Sequence, residues 1–489
     1  MREGEEDVEE GKDHCASFSS QGLLVRVLFA RNSKFTATVG YPMTSATKWK
    51  AAVATLFAAL TCQGSAFGEV PFAHAGGWTL TTDGRVGTFI SVDQGNGIPE
   101  NQPDYIGTVT RDRTHDTAGN IQATRIRNGF LASILGFEAS YQVSDNLKVT
   151  ARVELWLSVS AGRTIASQTP VDPRRVYAKL EGSWGSLLGG RELALFGRGG
   201  MWIDYDIAHG YGLGYPCQIE DASGGACGMA GFGGIYPGDD AGLVYTTPKL
   251  GGIDLSVGVY DPAVAALGQL NRAPWPRVEA EARYAFKDIF RVFVSGFYEH
   301  LEGTIPSPTP DPATMLRPLV DINANAQGVQ GGLMVTLGPV MVGGAVFTGQ
   351  ALSPITYLDE NQASFNPTHG TPRHSYGGFG LAAVTLDSLH LKLAGGAGLF
   401  HLDKTPDDPQ AIDPVTGAPG NPQLLKQNIG YTLGLYQTTG PLHFALEYFR
   451  AEHTLYDYGQ VDPTNPNLID VITPRQKVNF VNAGFTVVW

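Results

Sequence analysis

The sequence predicts an all-β fold, a transmembrane antiparallel β-barrel of about 16 strands. The first observation is the segment from Gln476 to Trp489, where apolar side chains alternate with small or polar ones and the chain ends on an aromatic residue. A period of two predicts a strand with one apolar face, and a terminal aromatic suits the interfacial girdle of an outer-membrane barrel. The apolar parity comprises Val481, Ala483, Phe485, Val487 and Trp489. The other observations are the recurrence of such segments from Gly77 onward and the regular spacing of their connections.

Two further segments show the alternation most clearly. Residues 147–160 and 276–287 each place apolar and polar side chains on opposite parities. In a soluble β-sandwich the polar face would meet water and the apolar face a core. In a membrane barrel the apolar face meets lipid and the polar face lines the lumen. The alternation alone leaves both architectures open.

The lengths of the connections distinguish the two architectures. Short turns are predicted near residues 144–146, 183–185, 249–252, 287–288, 337–339, 387–388 and 438–441. Long loops are predicted at about residues 92–121, 161–172, 193–240, 261–275, 301–325, 350–374, 403–426 and 456–475. Seven turns and eight loops alternate strictly and make fifteen connections, hence sixteen strands. Outer-membrane barrels have this asymmetry and an even strand number, whereas a β-sandwich of two Greek keys is not expected to sort its loops so regularly.

Composition and charge restrict the possible functions. Hydrophobic residues make up 43% of the 489 residues, but no apolar run reaches the roughly 18 residues that a membrane-spanning helix needs. A membrane location therefore depends on strands. The formal charge of −13 argues against a nucleic-acid partner, which would require a basic face. Residues 1–66 hold equal numbers of basic and acidic side chains, so the remainder is also net negative, which favours cations over anions as solutes.

The amino-terminal region indicates export. Lys48 and Lys50 are basic, residues 51–60 are apolar and residues 64–66 are small, which is the pattern of a secretory signal peptide. We therefore predict a signal peptide at residues 43–66 and a mature barrel domain at residues 67–489. Residues 1–42 carry no fold signal, and a translation start at Met43 would make them a misassigned or disordered extension.

Of the four cysteines, only Cys217 and Cys227 belong to the predicted mature part. Two cysteines ten residues apart in an exported protein predict a disulfide. A metal site is not expected, because only His209 lies nearby in sequence and there is no CxxC motif. No metal or other cofactor is predicted.

Four segments resemble the trimeric general diffusion porins of Gram-negative bacteria, and the most specific of them is the 175–191 hairpin. The segments are residues 134–147, 175–191, 245–252 and 480–485. The third long loop departs from the family pattern, because residues 232–234 (Phe-Gly-Gly) follow Gly231 instead of a carboxylate.

This resemblance implies a pore with a narrow waist, where the third loop folds into the lumen and its carboxylates face basic side chains on the wall. Rows of fixed charge then select which ions pass. The wall cations expected from strand parity are Arg85, Arg152, Arg175, Lys179 and Arg283, and Arg191 is placed by its match to the family hairpin. The candidate loop acids are Asp204, Asp206, Glu220, Asp221, Asp239 and Asp240. A disulfide between Cys217 and Cys227 would stiffen the loop tip.

The resemblance further implies an outer-membrane location in a Gram-negative bacterium, a homotrimer, and passive diffusion of small hydrophilic solutes and ions. Membrane lipid and the barrel assembly machinery are expected partners, and Phe485 and Trp489 are the expected assembly signal. Two alternatives remain: a porin selective for anions or sugars, and a soluble secreted β-sandwich adhesin or lectin. An enzyme is not expected, because His443 lies on a predicted strand without an accompanying GxSxG motif.

Overall fold

The computed structural model describes residues 70–96, 120–159, 171–216, 227–262, 274–306, 314, 316–352, 365–366, 371–414, 417–420, 424–462 and 464–489. Within these residues the chain forms strands and one α-helix, α1 (Arg198–Ile207), with short 3-10 turns at His209–Tyr211 and Asp387–Leu389. The strands are β1 (Val70–Ala75), β2 (Trp78–Asn96), β3 (Asn120–Arg127), β4 (Ser133–Ser144), β5 (Leu147–Leu157), β6 (Val171–Gly182), β7 (Gly185–Leu193), β8 (Asp239–Thr246), β9 (Ile253–Tyr260), β10 (Arg277–Phe286), β11 (Phe290–Pro306), β12 (Leu319–Leu337), β13 (Val340–Gln350), β14 (His374–Leu386), β15 (Leu391–Leu402), β16 (Leu425–Thr439), β17 (Leu442–Leu455), β18 (Tyr458–Asp462), β19 (Asn465–Ile472) and β20 (Arg475–Val488).

The strands close into an antiparallel barrel. β20 pairs with both β17 and β2, and its register with β2 runs from Arg85 opposite Val488 to Asn96 opposite Lys477. β3 and β4 pair with successive halves of β2, so they are two parts of one barrel strand. β1 pairs with the start of β2 in line with β20, and β18 and β19 form a separate hairpin. The described residues therefore contain sixteen barrel strands, and the predicted fold class is confirmed.

Side chains alternate between the outer and inner faces of the barrel, as the sequence predicts. In β20, Val481, Phe485 and Val487 are exposed on the outer face. Asn482 and Thr486, on the opposite parity, are buried on the inner face. Because a closed sheet pairs its backbone N–H and C=O groups internally, it meets the requirement that a bilayer imposes on a spanning structure.

Short turns join the strands at one end of the barrel, and long connections join them at the other. The seven turns within the described residues lie at 145–146, 183–184, 247–252, 287–289, 338–339, 387–390 and 440–441. Gly338 and Gly440 begin two-residue turns with φ of 57° and 56°, the conformation that a type II′ hairpin turn needs at its first position. The connection predicted at 301–325 is shorter than expected, because β11 extends to Pro306 and β12 begins at Leu319.

The terminal residue Trp489 is fixed against the first barrel strand. It exchanges two backbone hydrogen bonds of 3.0 Å with Gly84. A Cβ at Gly84 would lie 2.4 Å from Trp489 Cζ2, so the glycine makes room for the indole ring. The aromatic end of the chain therefore completes the seam between β20 and β2.

Several predicted features lie outside the described residues. They are the extension at 1–42, the signal peptide at 43–66, Cys217, Glu220 and Asp221. Among the described residues, no helix is long and apolar enough to cross a membrane.

Candidate channel and its lumen loop

The connection between β7 and β8 lies inside the barrel, as predicted. We call it the lumen loop; it is described at residues 194–216 and 227–238. Its helix α1 contacts β11–β14. Gly197, at φ 94°, precedes the helix, and a Cβ at Gly199 would lie 2.4 Å from the Phe293 ring. The two glycines therefore allow α1 to lie directly against one wall.

Apolar side chains hold the lumen loop on that wall. Ile207, Leu213, Met229 and Phe232 are completely buried in one cluster with inner-facing residues of β2, β11–β17 and β20. The largest wall members are Phe89, Phe293, Phe379, Phe449 and Phe480. Full burial of one such side chain contributes about 1.5–3 kcal/mol, so the lumen loop is bound as a core segment.

Glu447 on β17 anchors the backbone of the lumen loop. Its carboxylate accepts hydrogen bonds from the N–H groups of Leu213 at 2.8 Å and Gly214 at 3.0 Å, and from the Tyr436 hydroxyl at 2.7 Å. The side chain of Asn482 donates to the Gly214 carbonyl at 2.9 Å. These wall groups satisfy buried backbone atoms that no regular secondary structure pairs, which prevents the cost of leaving them without partners.

A second anchor joins Asp204, His209 and Thr432. Asp204 Oδ1 lies 2.6 Å from His209 Nδ1, and Asp204 Oδ2 accepts from the Met229 N–H at 2.8 Å. His209 Nε2 lies 2.9 Å from the Thr432 hydroxyl. Burial lowers the pKa of His209, but the adjacent Asp204 carboxylate more than offsets this, so the pKa lies above its ordinary value. Asp204, predicted as a constriction acid, therefore serves the internal structure of the loop.

The other predicted constriction acids that the structure describes form ion pairs with arginines. Asp206, Asp239 and Asp240 pair respectively with Arg291, Arg174 and Arg277. Asp239 and Asp240 begin β8 and belong to the wall, whereas Asp206 lies on α1 with a side chain that is 29% exposed. Among the predicted loop acids that the structure describes, Asp206 therefore both lies on the loop and is open to solvent.

Four predicted cations line the inner wall with carboxylate partners. Arg152 pairs with Asp83 at 2.8 Å, Arg175 with Glu192 at 3.2 Å, Lys179 with Glu181 at 2.7 Å and Arg283 with Asp254 at 2.9 Å. Their distances are those of direct ion pairs. The wall therefore presents alternating positive and negative groups.

Arg85 faces inward but lies beneath the lumen loop. Its guanidinium donates to the carbonyl oxygens of Leu131 at 2.9 Å and Gly210 at 3.1 Å. The same group lies 5.9 Å from the ring centroids of Tyr205 and Tyr211. Arg85 is 6% exposed, so it supports the loop from below and has little contact with the water-filled space.

The predicted inward placement of Arg191 is wrong. Arg191 pairs with Val176 on β6 and Ala241 on β8, and directly opposed residues share a face of the sheet. Val176 is exposed on the outer face. Arg191 therefore shares the outer parity, where its guanidinium donates to the carbonyl of Asp239 at 2.9 Å.

Several charged residues of the lumen were not singled out in the sequence. They are Arg174, Arg198, Arg277, Arg291, Glu279, Glu281 and Glu447. The alternation of β10 puts Arg277, Glu279 and Glu281 on the parity of Arg283, so that signal was available. Arg198 and Glu447 gave no such signal, because the partner of each lies far away in the sequence.

Cys227 forms a disulfide. Its N–H donates to the Tyr215 carbonyl at 2.9 Å. Cys217, the expected partner, lies outside the described residues, and the pairing stays a prediction.

Helix α1 has a buried face and a partly exposed face. Buried residues of α1 face the barrel, while its remaining side chains form one partly exposed stripe. The stripe consists of Arg198, Trp202, Tyr205 and Asp206. Trp202 is four residues from both Arg198 and Asp206 and three from Tyr205, which places the four on one side of the helix. The stripe is ion-paired to the neighbouring strands β10 and β11: Arg198 with Glu281 at 2.7 Å and Asp206 with Arg291 at 2.6 Å.

Known proteins share this sequence pattern and architecture. The Gram-negative porin family model matches residues 51–468. The outer membrane channel DcaP of Acinetobacter baumannii has a similar fold, with a TM-score of 0.54 and 11% identity over 85% of this chain and 99% of that chain. The anion-selective porin from Comamonas acidovorans has a TM-score of 0.50 and 12% identity over 84% of this chain and 100% of that chain. No curated protein sequence matches the chain. Because the family match covers most of the chain, the protein belongs to the Gram-negative porin family and is a passive diffusion channel of the outer membrane.

Proposed function

We propose that the channel is a water-filled pore of broad solute range, with its waist between the stripe of α1 and the ion pairs of β5 and β6. The observation that carries this proposal is the seating of α1 against one wall of a closed barrel. A loop fixed in this way narrows the lumen without filling it. Cysteine crosslinking of α1 to the opposite wall should therefore reduce the conductance.

The ion pairs decide what passes. Lys179 and Arg283 have side chains that are 31% and 42% exposed, and Asp206 on the stripe of α1 is 29% exposed. Arg283 lies on the same side as α1, since it approaches Glu281, the partner of Arg198, at 3.4 Å. Hydrated ions and small polar solutes would pass between fixed charges of both signs, which is how a pore discriminates by charge. The net negative charge of the mature chain favours a weak preference for cations over anions.

Reconstitution in a planar bilayer under a salt gradient tests the proposal. We expect stepwise conductance and a reversal potential of the sign given by weak cation preference. Lys179→Glu and Arg283→Glu should each shift the reversal potential further toward cations. Lys287→Glu, in a turn outside the lumen, is the matched control and should leave it unchanged. The absence of conductance steps in correctly folded protein would contradict the pore.

We further propose that three copies assemble as a homotrimer in the membrane. The outer face carries large apolar side chains on many strands, among them Leu243, Val346 and Leu433, which are 56%, 66% and 61% exposed. Such a surface suits both lipid and a second copy of the chain, and the likeness to trimeric porins supports the latter. Light scattering of the detergent-solubilised protein should give a mass equal to that of three protomers. The mass of one protomer would contradict the trimer.

Export and assembly complete the proposal. Cleavage of the signal peptide at residues 43–66 would leave a mature chain from Phe67, and a disulfide between Cys217 and Cys227 would form after export. The barrel assembly machinery would recognise β20 through Phe485 and Trp489. Mass spectrometry of the non-reduced protein from outer membranes tests the first two points, because it gives both the amino terminus and the linked peptides.

A further inference from the structure

A row of aromatic rings lies beside the waist. We call Trp202, Tyr205, Tyr211 and His443 the aromatic row. Successive ring centroids are 5.3 Å, 6.0 Å and 3.7 Å apart, and the last two rings are stacked with planes 8° apart. The first three side chains are partly exposed. The row therefore offers the lumen a nearly continuous aromatic edge.

The row runs from α1 through the 3-10 turn at His209–Tyr211 to β17. Trp202 packs on the cluster that contains Trp156 and Leu193, at the long-connection ends of β5 and β7. His443 is the second residue of β17 and directly follows a short turn. A solute beside α1 therefore meets three partly exposed rings, while His443, which is 8% exposed, stacks on Tyr211 and supports it.

The rings are fixed in position. The guanidinium of Arg85 lies 5.9 Å from the centroids of Tyr205 and Tyr211, and His443 Nδ1 lies 3.0 Å from the Thr438 hydroxyl. Burial and the interaction with the neighbouring Tyr205 hydroxyl raise the pKa of Tyr211 to about 12, so its ring stays neutral. A preorganised surface loses little conformational entropy when a solute binds.

The charges around the row are paired with one another. Arg291 donates to Asp206 at 2.6 Å, and Arg152 donates to Asp83 through two hydrogen bonds of 2.8 Å and 2.9 Å. A charged solute would have to compete with an existing partner. A neutral ring with many hydroxyl groups would not, since its hydroxyls can donate to the carboxylates and accept from the guanidiniums while its apolar face covers an aromatic ring.

We propose that the aromatic row is a binding track for pyranose sugars and their short oligomers. This inference rests on the proposed function, because only an open lumen makes the row accessible. Sugars would then bind weakly and move from ring to ring, while ions and other small solutes still diffuse freely.

The test is the block of single-channel current by maltotriose. Loss of one ring contact in Trp202→Leu should raise the Kd for maltotriose about fivefold to tenfold, whereas Trp202→Phe, which keeps an aromatic ring, should stay within about threefold. Trp275→Leu is the matched control, because Trp275 is 68% exposed in the connection before β10, and its Kd should equal that of the wild type. If Trp202→Leu fails to fold, Tyr205→Leu removes the neighbouring ring.

The outcomes separate this inference from the proposed function. Conductance steps without sugar block would overturn the sugar track and leave the pore intact. Equal block by maltotriose and by polyethylene glycol of matched size would also overturn it, because steric filling would explain the effect. Absence of conductance steps would refute the pore and the track together. An unchanged Kd in Trp202→Leu and Tyr205→Leu would show that the rings do not bind.

Discussion

Glu447→Leu is expected to release the lumen loop from the wall. The carboxylate accepts three hydrogen bonds of 2.7–3.0 Å, two of them from the N–H groups of Leu213 and Gly214. A hydrogen bond to a charged acceptor contributes about 1.5–3 kcal/mol. The bond from Tyr436 joins two wall residues, so only the two from Leu213 and Gly214 hold the loop. Because these two share one acceptor and are not additive, we expect a loss of about 4 kcal/mol. That loss lowers the ratio of seated to released loop about a thousandfold.

Single-channel recording and limited proteolysis measure this release. Glu447→Leu should show larger and noisier conductance, and cleavage within the lumen loop should become fast. Gly212→Ala should show the same effect, because a Cβ there would lie 1.9 Å from Glu447 Oε1. Glu452→Leu is the control: it changes a glutamate on the outer parity of the same strand, where Glu452 pairs with Arg450.

Quiet, wild-type currents together with wild-type protease resistance in Glu447→Leu would refute this reasoning. They would mean that the apolar cluster alone holds the loop. Glu447→Gln helps to separate the two contributions, since it keeps an acceptor of similar shape without the charge. An intermediate effect is expected for Gln.

Three further predictions concern the seam and the second anchor. Deletion of Trp489 should lower the amount of protein at the cell surface more than the conductance of each inserted channel; normal surface labelling would contradict it. Gly84→Ala should lower the unfolding temperature of the barrel, measured by the change in electrophoretic mobility after heating, because overpacking costs about 1–3 kcal/mol. Gly380→Ala is the control and should not lower it, since no atom lies within 4 Å of its Cβ position. The folded pKa of His209 is raised, so its stabilisation of the loop with Asp204 is complete below about pH 6.5 and is lost as the pH rises through the folded value. Current noise should therefore grow at alkaline pH in the wild type, and a His209→Gln channel should show no such dependence.

The barrel could be predicted because its pattern is local. The alternation in β20 and the turns at residues such as Gly338 and Gly440 depend on near neighbours along the chain. The break between β3 and β4 could not be predicted in the same way, because both halves pair with β2 and only the register shows that they form one strand. The β1 hairpin was also missed, although its two strands are joined by the local turn at Gly76 and Gly77.

The packing of the lumen loop on the wall could not be predicted from the sequence, because the residues in contact are far apart along the chain. Leu213 and Glu447 are 234 positions apart, and neither residue type marks the contact. Inner-facing phenylalanines such as Phe449 break the polar pattern of a lumen wall, and this was a usable sign that something apolar covers that wall. The wrong placement of Arg191 has a different cause. Its strand β7 is too short for its alternation to assign a face, so the prediction depended on the resemblance to a family hairpin.

Strand parity assigns a charged side chain to the inner face of the barrel, but it does not show whether that side chain is exposed to water or covered by the lumen loop. Arg85 and Glu447 are 6% and 2% exposed and hold the loop, whereas Lys179 and Arg283 keep 31% and 42% of their side chains open. Lys179 and Arg283 can contact a passing ion directly. The side chains of Arg85 and Glu447 are instead occupied by hydrogen bonds to the loop. Charge reversal at Lys179 or Arg283 should therefore change selectivity with intact structure, while changes at Arg85 or Glu447 should first change the loop and alter selectivity only through it.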